Sequence, residues 1–120
     1  MRKVILESAF AASPTGSVEE HVRYAKDCLQ DCLLRGEAPL ASHLLYPGVL
    51  DDDVPGERAL GIAAGLAWLP VADAMVVYVD YGVSPGMRAA MGEAELADVP
   101  VEVRSLRKDF HEQDYAQASP

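Results

Sequence analysis

The sequence has little of several things that would have pointed to particular functions. It carries two cysteines, Cys28 and Cys32, in 120 residues. They stand four apart inside a helical pattern, where a bridge would join neighbouring turns of one helix and staple nothing, so they read as reduced core thiols. No further cysteine and no H-x-x-x-H pair is present to complete a zinc site. Basic residues are scarce: 10 Lys and Arg against 19 Asp and Glu give a net charge of −9. A chain this acidic lacks the basic face needed to bind a nucleic acid polymer or an anionic membrane. A small anionic ligand stays open, because backbone N–H groups can hold one. The acidic excess reads as mostly solvated surface. No apolar run approaches the ~18 residues of a membrane span, and Met1-Arg2-Lys3 runs directly into a strand pattern without a leader-like segment. A cytoplasmic location is the resulting expectation. No motif calls for a metal or an organic cofactor.

What is present is enough apolar sequence, 50% of residues, for one real core, arranged in alternating strand and helix patterns. Lys3–Glu7 reads as a short buried strand. Residues 8–16 are small or turn-forming. Ser17-Val18-Glu19-Glu20 is a capping box, in which the serine hydroxyl takes the N–H three residues on and Glu20 reaches back. Apolar residues at 22, 25, 28, 29, 32 and 33 follow with helical spacing, and Gly36 ends the helix. Ala38–Ala41 reads as a second strand and 43–53 as irregular. Pro55 fits the first turn of a helix running to about Leu69. That helix is small and apolar on most sides, with Gly61 and Gly65 four apart, and should be buried either on the sheet or in a subunit contact. Ala74–Val79 is the clearest strand, continuous and β-branched. Asp80–Val83 is its exit loop, Ser84-Pro85 is a cap and helix start, and Val101–Val103 is the last strand. A domain of residues 1–106 and a polar tail of 107–120 follow.

This β-α-β-α-β-α-β order predicts one three-layer α/β domain with a mainly parallel sheet of four or five strands in order 2-1-3-4. The connection reverses direction between strands 1 and 3, so a ligand crevice should open above their carboxyl ends. Three segments should meet there: Glu7-Ser8-Ala9-Phe10 after strand 1, Ser42-His43 after strand 2, and Asp80–Met87 after strand 3. The Ser84-Pro85-Gly86-Met87 turn can seat a phosphate at free N–H groups, or be an ordinary helix cap. His43 can be a ligand contact or structural. Glu7 can touch a ligand hydroxyl or simply be exposed. Asp51–Asp53 fit a solvated loop or a metal site. Asp80, just past a parallel strand, is expected to face the ligand. Phe10 and Tyr81 can stack on a base.

The string Ala38-Pro39-Leu40-Ala41-Ser42-His43-Leu44-Leu45-Tyr46, with Leu50-Asp51-Asp52-Asp53, Glu57-Arg58-Ala59-Leu60-Gly61 and Gly82-Val83-Ser84-Pro85-Gly86-Met87, resembles a family of small phage and bacterial proteins similar to the nucleoside 2-deoxyribosyltransferases. The resemblance spans roughly residues 3–106. It implies a flavodoxin- or Rossmann-like fold, a nucleoside or nucleotide ligand, a homodimer or higher homo-oligomer, and cleavage or transfer at the N-glycosidic bond. In such enzymes a glutamate attacks C1′ of the sugar and an aspartate helps the base to leave. Carried over, Ser84 and Gly86 fall on the phosphate turn, Ser8 and Phe10 on the loop after strand 1, and Asp80 near the base-side carboxylate, with Met87 and Tyr81 as further candidate ligand contacts. The nucleophilic glutamate is expected four residues after the turn glycine, where this chain has Ala90. Glu93 lies about a turn deeper. Glu7, Asp80 and Glu93 are therefore the carboxylates left to do chemistry, and the alternative is a nucleotide-binding protein without turnover, sensing or sequestering a signal.

Overall fold

The computed structural model describes residues 1–112; most of the expected polar tail, residues 113–120, lies outside them. Four strands, β1 (Arg2–Glu7), β2 (Glu37–Leu40), β3 (Ala74–Tyr78) and β4 (Val101–Arg104), form one sheet in the order β2-β1-β3-β4. Every pairing is parallel. Four α-helices accompany them: α1 (Val18–Leu34), α2 (Ser42–Leu45), α3 (Pro55–Leu66) and α4 (Pro85–Leu96). Short 3₁₀ turns cover Tyr46–Gly48 and Leu69–Val71. The fold class and strand order are those the alternation of patterns implies. The segment expected to be irregular holds α2, and the third helix stops at Leu66 rather than Leu69.

Side-chain alternation along β1 and β3 divides the core in two. Val4, Leu6, Ala74, Val76 and Tyr78 pack with Tyr24, Cys28 and Cys32 of α1. Ile5, Met75 and Val77 pack with Met87, Ala90 and Ala94 of α4. A strand buried on both faces has to be apolar at successive positions, which is why Ala74–Tyr78 reads as an unbroken run. Both cysteines are free and buried, and burial pushes the Cys28 thiol well above its ordinary range. The capping box at Ser17 is formed, with Glu20 N–H donating to the Ser17 hydroxyl and Ser17 N–H to the Glu20 carboxylate. Pro39 is tolerated because β2 is an edge strand.

α3 is not buried on the sheet, the first of the two places expected for it. Within the chain only Gly65 of this helix is fully buried, while Leu60 and Ile62 are 60% and 49% exposed. Its two glycines do serve close packing. A Cβ on Gly65 would lie 2.8 Å from the Ser42 hydroxyl, and one on Gly61 would press on Leu50. The smooth stripe thus faces α2 and the segment after it, Leu66 packs against the core under α4, and Leu60 and Ile62 are left exposed, Ile62 beside the crevice described below.

The acidic excess is not all solvated surface either. Glu37 and Arg104 are 5% and 7% exposed. They form a two-pronged ion pair, both contacts at 2.8 Å. Arg104 also donates to Glu102 and to the Tyr78 hydroxyl, and Arg2 bridges Glu37 and Glu102. Tyr78 in turn donates to Asp31 of α1 at 2.6 Å. The network ties the first residue of β2 to the last of β4. Arg104 holds the Glu37 carboxyl down at about 2, against an ordinary 4.5. The folded chain therefore binds fewer protons at this site than the unfolded chain. Its contribution is complete above pH 4.5 and is lost as pH falls toward about 2. Arg104→Ala should lower stability by about 3–5 kcal/mol, the usual result of leaving a buried charge without its partner. It should also flatten the acid limb of a stability–pH curve. Urea denaturation of both proteins from neutral pH downward checks the two effects.

Candidate functional site

A crevice of about 880 Å³ opens above the carboxyl ends of β1 and β3, between α3 and α4. Its floor is Ile5 and Glu7. One wall is the 8–15 loop with α2, and the other is the turn entering α4. Of the residues singled out from sequence, Glu7, Ser8, Phe10, His43, Tyr81, Ser84, Gly86, Met87 and Glu93 all line this one space.

The wall on the β2 side is built around Ser8 and His43. Ser8 is buried as the first residue past β1, and its hydroxyl lies 2.8 Å from His43 Nε2. The other ring nitrogen, Nδ1, is buried and has no partner among the described residues. Burial pushes the His43 ring down to about 4, so it is neutral at physiological pH. Phe10 meets it edge-on with ring centroids 6.3 Å apart. The loop bearing Ser8 and Phe10 is pinned by His21, which sequence reading missed. His21 Nδ1 points at the Phe10 and Ala11 carbonyls at 3.2 and 3.1 Å. That geometry puts the proton on Nδ1 and leaves Nε2 to accept from the Thr15 hydroxyl at 3.1 Å. Tyr81 is held by edge contacts to His21 and Tyr24.

Opposite, Ser84 caps α4 by accepting from Met87 N–H at 3.2 Å. The cap spends donors that were expected to be free. Pro85 has no N–H, Met87 N–H is taken by Ser84, and Arg88 N–H bonds the Ser84 carbonyl. Gly86 N–H is the donor of the first turn without a partner among the described residues. Both readings of this turn, cap and ligand seat, thus have a physical share, with the seat narrowed to Gly86. A Cβ there would meet nothing closer than the Ser84 hydroxyl at 3.9 Å. Ala90 is buried beside the crevice, where the expected glutamate would project, and Glu93 sits exposed at the rim.

Asp80 is not where it was expected. It shares side-chain parity with Val76 and Tyr78, which point under α1, whereas the crevice opens on the Val77 face. Its carboxylate accepts from the Tyr24 hydroxyl at 2.7 Å, from Leu106 N–H at 2.8 Å and from the Ser105 hydroxyl. The group is a brace between α1 and the segment after β4, outside the crevice lining. The Asp51–Asp53 loop is likewise engaged in its own turn: the Asp51 side chain accepts from Asp53 N–H, and Glu57 accepts from Asp51 N–H. Arg58, at the start of α3, is the one Arg or Lys side chain among the described residues lining the crevice. Nothing in its sequence context marked it apart from its place in the Glu57-Arg58-Ala59 string.

Glu7 shares parity with Ile5 and so points into the crevice. Burial, with no charge or hydrogen bond to offset it, pushes its carboxyl up to about 7. The site therefore combines a carboxyl raised by burial, a neutral imidazole with a buried, unpartnered nitrogen, an unused backbone donor and aromatic edges.

The fold and this crevice define an α/β domain with an open crevice at the switch point of a parallel sheet. The chain belongs to the family described as "Domain of unknown function (DUF7768)", which matches residues 2–104. No curated protein matches it. Among solved structures, the 2-deoxyribosyltransferase of the psychrotolerant bacterium Bacillus psychrosaccharolyticus superposes with a TM-score of 0.62 at 17% identity, covering 97% of this chain and 81% of that one. The CMP N-glycosidase of Clostridium botulinum gives a TM-score of 0.49 at 14% identity, covering 96% and 79%. The first likeness shows that the chain has the 2-deoxyribosyltransferase fold.

A neutral His43 carries a direct consequence. The folded state disfavours the imidazolium, so this residue costs stability as pH falls from 6.5 toward about 4 and not above that range. In a nitrogen-detected NMR titration, His43 should keep a neutral-ring signature to about pH 5, while an exposed histidine titrates near 6.5.

Proposed function

We propose that the crevice binds a nucleoside or nucleotide. The observation that carries the reading is the junction of unlike walls over one strand: an aromatic and imidazole side at Phe10, His43 and Tyr81, and an uncommitted N–H at Gly86 across from it. A heterocyclic base suits the first, by edge contact with these rings. A phosphate or sugar oxygen suits the second, at the positive end of α4. The resemblance seen in the sequence and the fold shared with a 2-deoxyribosyltransferase support the same ligand class.

Ala90 favours binding without the usual covalent step, since a carboxylate must reach the anomeric carbon to attack it. Cleavage or transfer at the N-glycosidic bond is the second reading, favoured by Glu7 and Glu93 on the same crevice. A thermal-shift screen of nucleosides and mono-, di- and cyclic nucleotides, with product analysis of each hit, separates the two readings. Released base marks turnover, and a shift without it marks binding alone. Gly86→Val should reduce affinity for the hit at least tenfold, about 1.4 kcal/mol, by covering the donor. The melting temperature should hold, because the space above Gly86 is open. Unchanged calorimetric affinity would move the ligand elsewhere.

A homodimer through α3 is proposed with it. Leu60 and Ile62 are exposed on a helix that also walls the crevice. Covering them needs a partner surface on the order of the ~1,600 Å² of a stable interface. Sedimentation at tens of micromolar should give a dimer, and Ile62→Lys should give a monomer.

A further inference from the structure

Three features of the crevice concern Glu7, and together they say what part of a ligand it meets. The first is its place in the sheet. β1 lies between β2, which leads into His43, and β3, which leads into the Gly86 turn. A nucleotide with its base at His43 and its phosphate at Gly86 therefore lays its sugar across the end of β1. The second is direction. Glu7 has the parity of Ile5, whose side chain packs with Met87 and Ala90 of α4, so the carboxyl projects from the floor into the same space. The small side chain of Ala90 leaves that space free. The third is that the carboxyl has no hydrogen-bond or ion-pair partner among the described residues, although it is half-buried; every other carboxylate turned inward is engaged. Glu37 is paired to Arg104, Asp80 holds Tyr24 and Leu106 N–H, and Glu57 accepts from Asp51 N–H.

A carboxylate offers acceptors only, on two oxygens. Taking it partly out of water without donors is costly, and the group answers by holding its proton. A pair of adjacent hydroxyls supplies one donor to each oxygen. A 2-deoxy sugar supplies one fewer.

We propose that Glu7 receives the sugar of the bound nucleotide, its two oxygens accepting from the 2′- and 3′-hydroxyls of a ribose, so that the crevice takes ribonucleotides ahead of 2′-deoxyribonucleotides. The proposal rests on the nucleotide reading above and adds which sugar is bound and by what. Binding of a diol stabilises the ionised carboxylate, so a ribonucleotide displaces the Glu7 proton and a deoxyribonucleotide does so less. The other charged or titratable groups around this space are Glu57 and Arg58 of α3, Glu93 of α4, His43 of α2, Asp52 of the loop before α3, and the phenols of Tyr46 and Tyr81. Glu93, Arg58 and Asp52 are exposed at the rim. His43 stays neutral until pH falls toward about 4. Glu7 is the group that titrates near neutrality, at about 7.

The test is calorimetry of AMP, CMP, GMP and UMP against their 2′-deoxy counterparts from about pH 6 to 8, a range that brackets the carboxyl. Taking the ribo-to-deoxy affinity ratio cancels the titration of the shared phosphate. For the monophosphate that binds best, the ratio should be about tenfold or more above pH 7 and should narrow below it. Glu7→Ala should bring it near one at every pH. The isosteric Glu7→Gln should remove its pH dependence, whatever ratio the amide retains. Neither change removes a contact that holds the fold, and thermal melts of both variants check this. A wild-type ratio near one, or a ratio that survives in Glu7→Ala, overturns the proposal while the nucleotide reading stands. No binding of any monophosphate to the wild type overturns the nucleotide reading, and this one with it.

Discussion

The parallel pairing of β1 with β2 on one side and β3 on the other is the constraint from which the rest of the molecule takes its shape. Parallel neighbours need crossovers, and right-handed crossovers that run in opposite directions across the sheet, from β1 out to β2 and from β2 back past β1 to β3 and on to β4, must pass on opposite faces. α1 therefore lies on one face and α3 and α4 on the other. The loops leaving β1 and β3 cannot close over the sheet between them. A crevice is left at that point, and whatever side chains end β1 become its floor. Glu7 is in the crevice because of its parity on β1. Asp80 is outside because of its parity on β3.

A parallel sheet this small has to restrain its edges by other means. The Arg104–Glu37 pair does so across the sheet, with Arg2, Glu102 and Tyr78 supplying the remaining hydrogen bonds. Asp80 does it at the carboxyl end, joining Tyr24 of α1 to the backbone after β4. Both are charged groups in structural use, and both lie outside the crevice, whose lining is mainly apolar. That is a setting for a ligand with a flat apolar face and a few directional hydrogen bonds, with a single basic side chain, Arg58, at the opening.

The order of the elements, the switch point and the cap at Ser84 were legible in the sequence because each depends on local pattern: apolar runs, helical spacing, and a serine before a proline. The meeting of Ser8, His43 and Gly86 was legible as well, since topology alone brings strand ends together. What was not legible depends on which face a residue takes after its strand ends. Asp80 follows a strand apolar on both sides, so no alternation in Val76–Tyr78 reveals its direction. Arg104 and Glu37 stand 67 positions apart, and no local rule pairs them. α3 reads as buried because it is apolar, while its fit to α2 is made by Gly61 and Gly65, leaving Leu60 and Ile62 outside. His21 looked like one more residue of an amphipathic helix, and its hold on the Phe10 and Ala11 carbonyls is a contact made in three dimensions.

The central claim is that one crevice, over β1, is the ligand site. An amide NMR titration of the protein with the tightest-binding nucleotide tests it most directly. The account predicts shift changes concentrated in residues 7–10, 42–46 and 81–87, with little change in β4 and the C-terminal half of α1. Changes centred on Arg35, Arg104 and Arg107, at the far edge of the sheet, would contradict it.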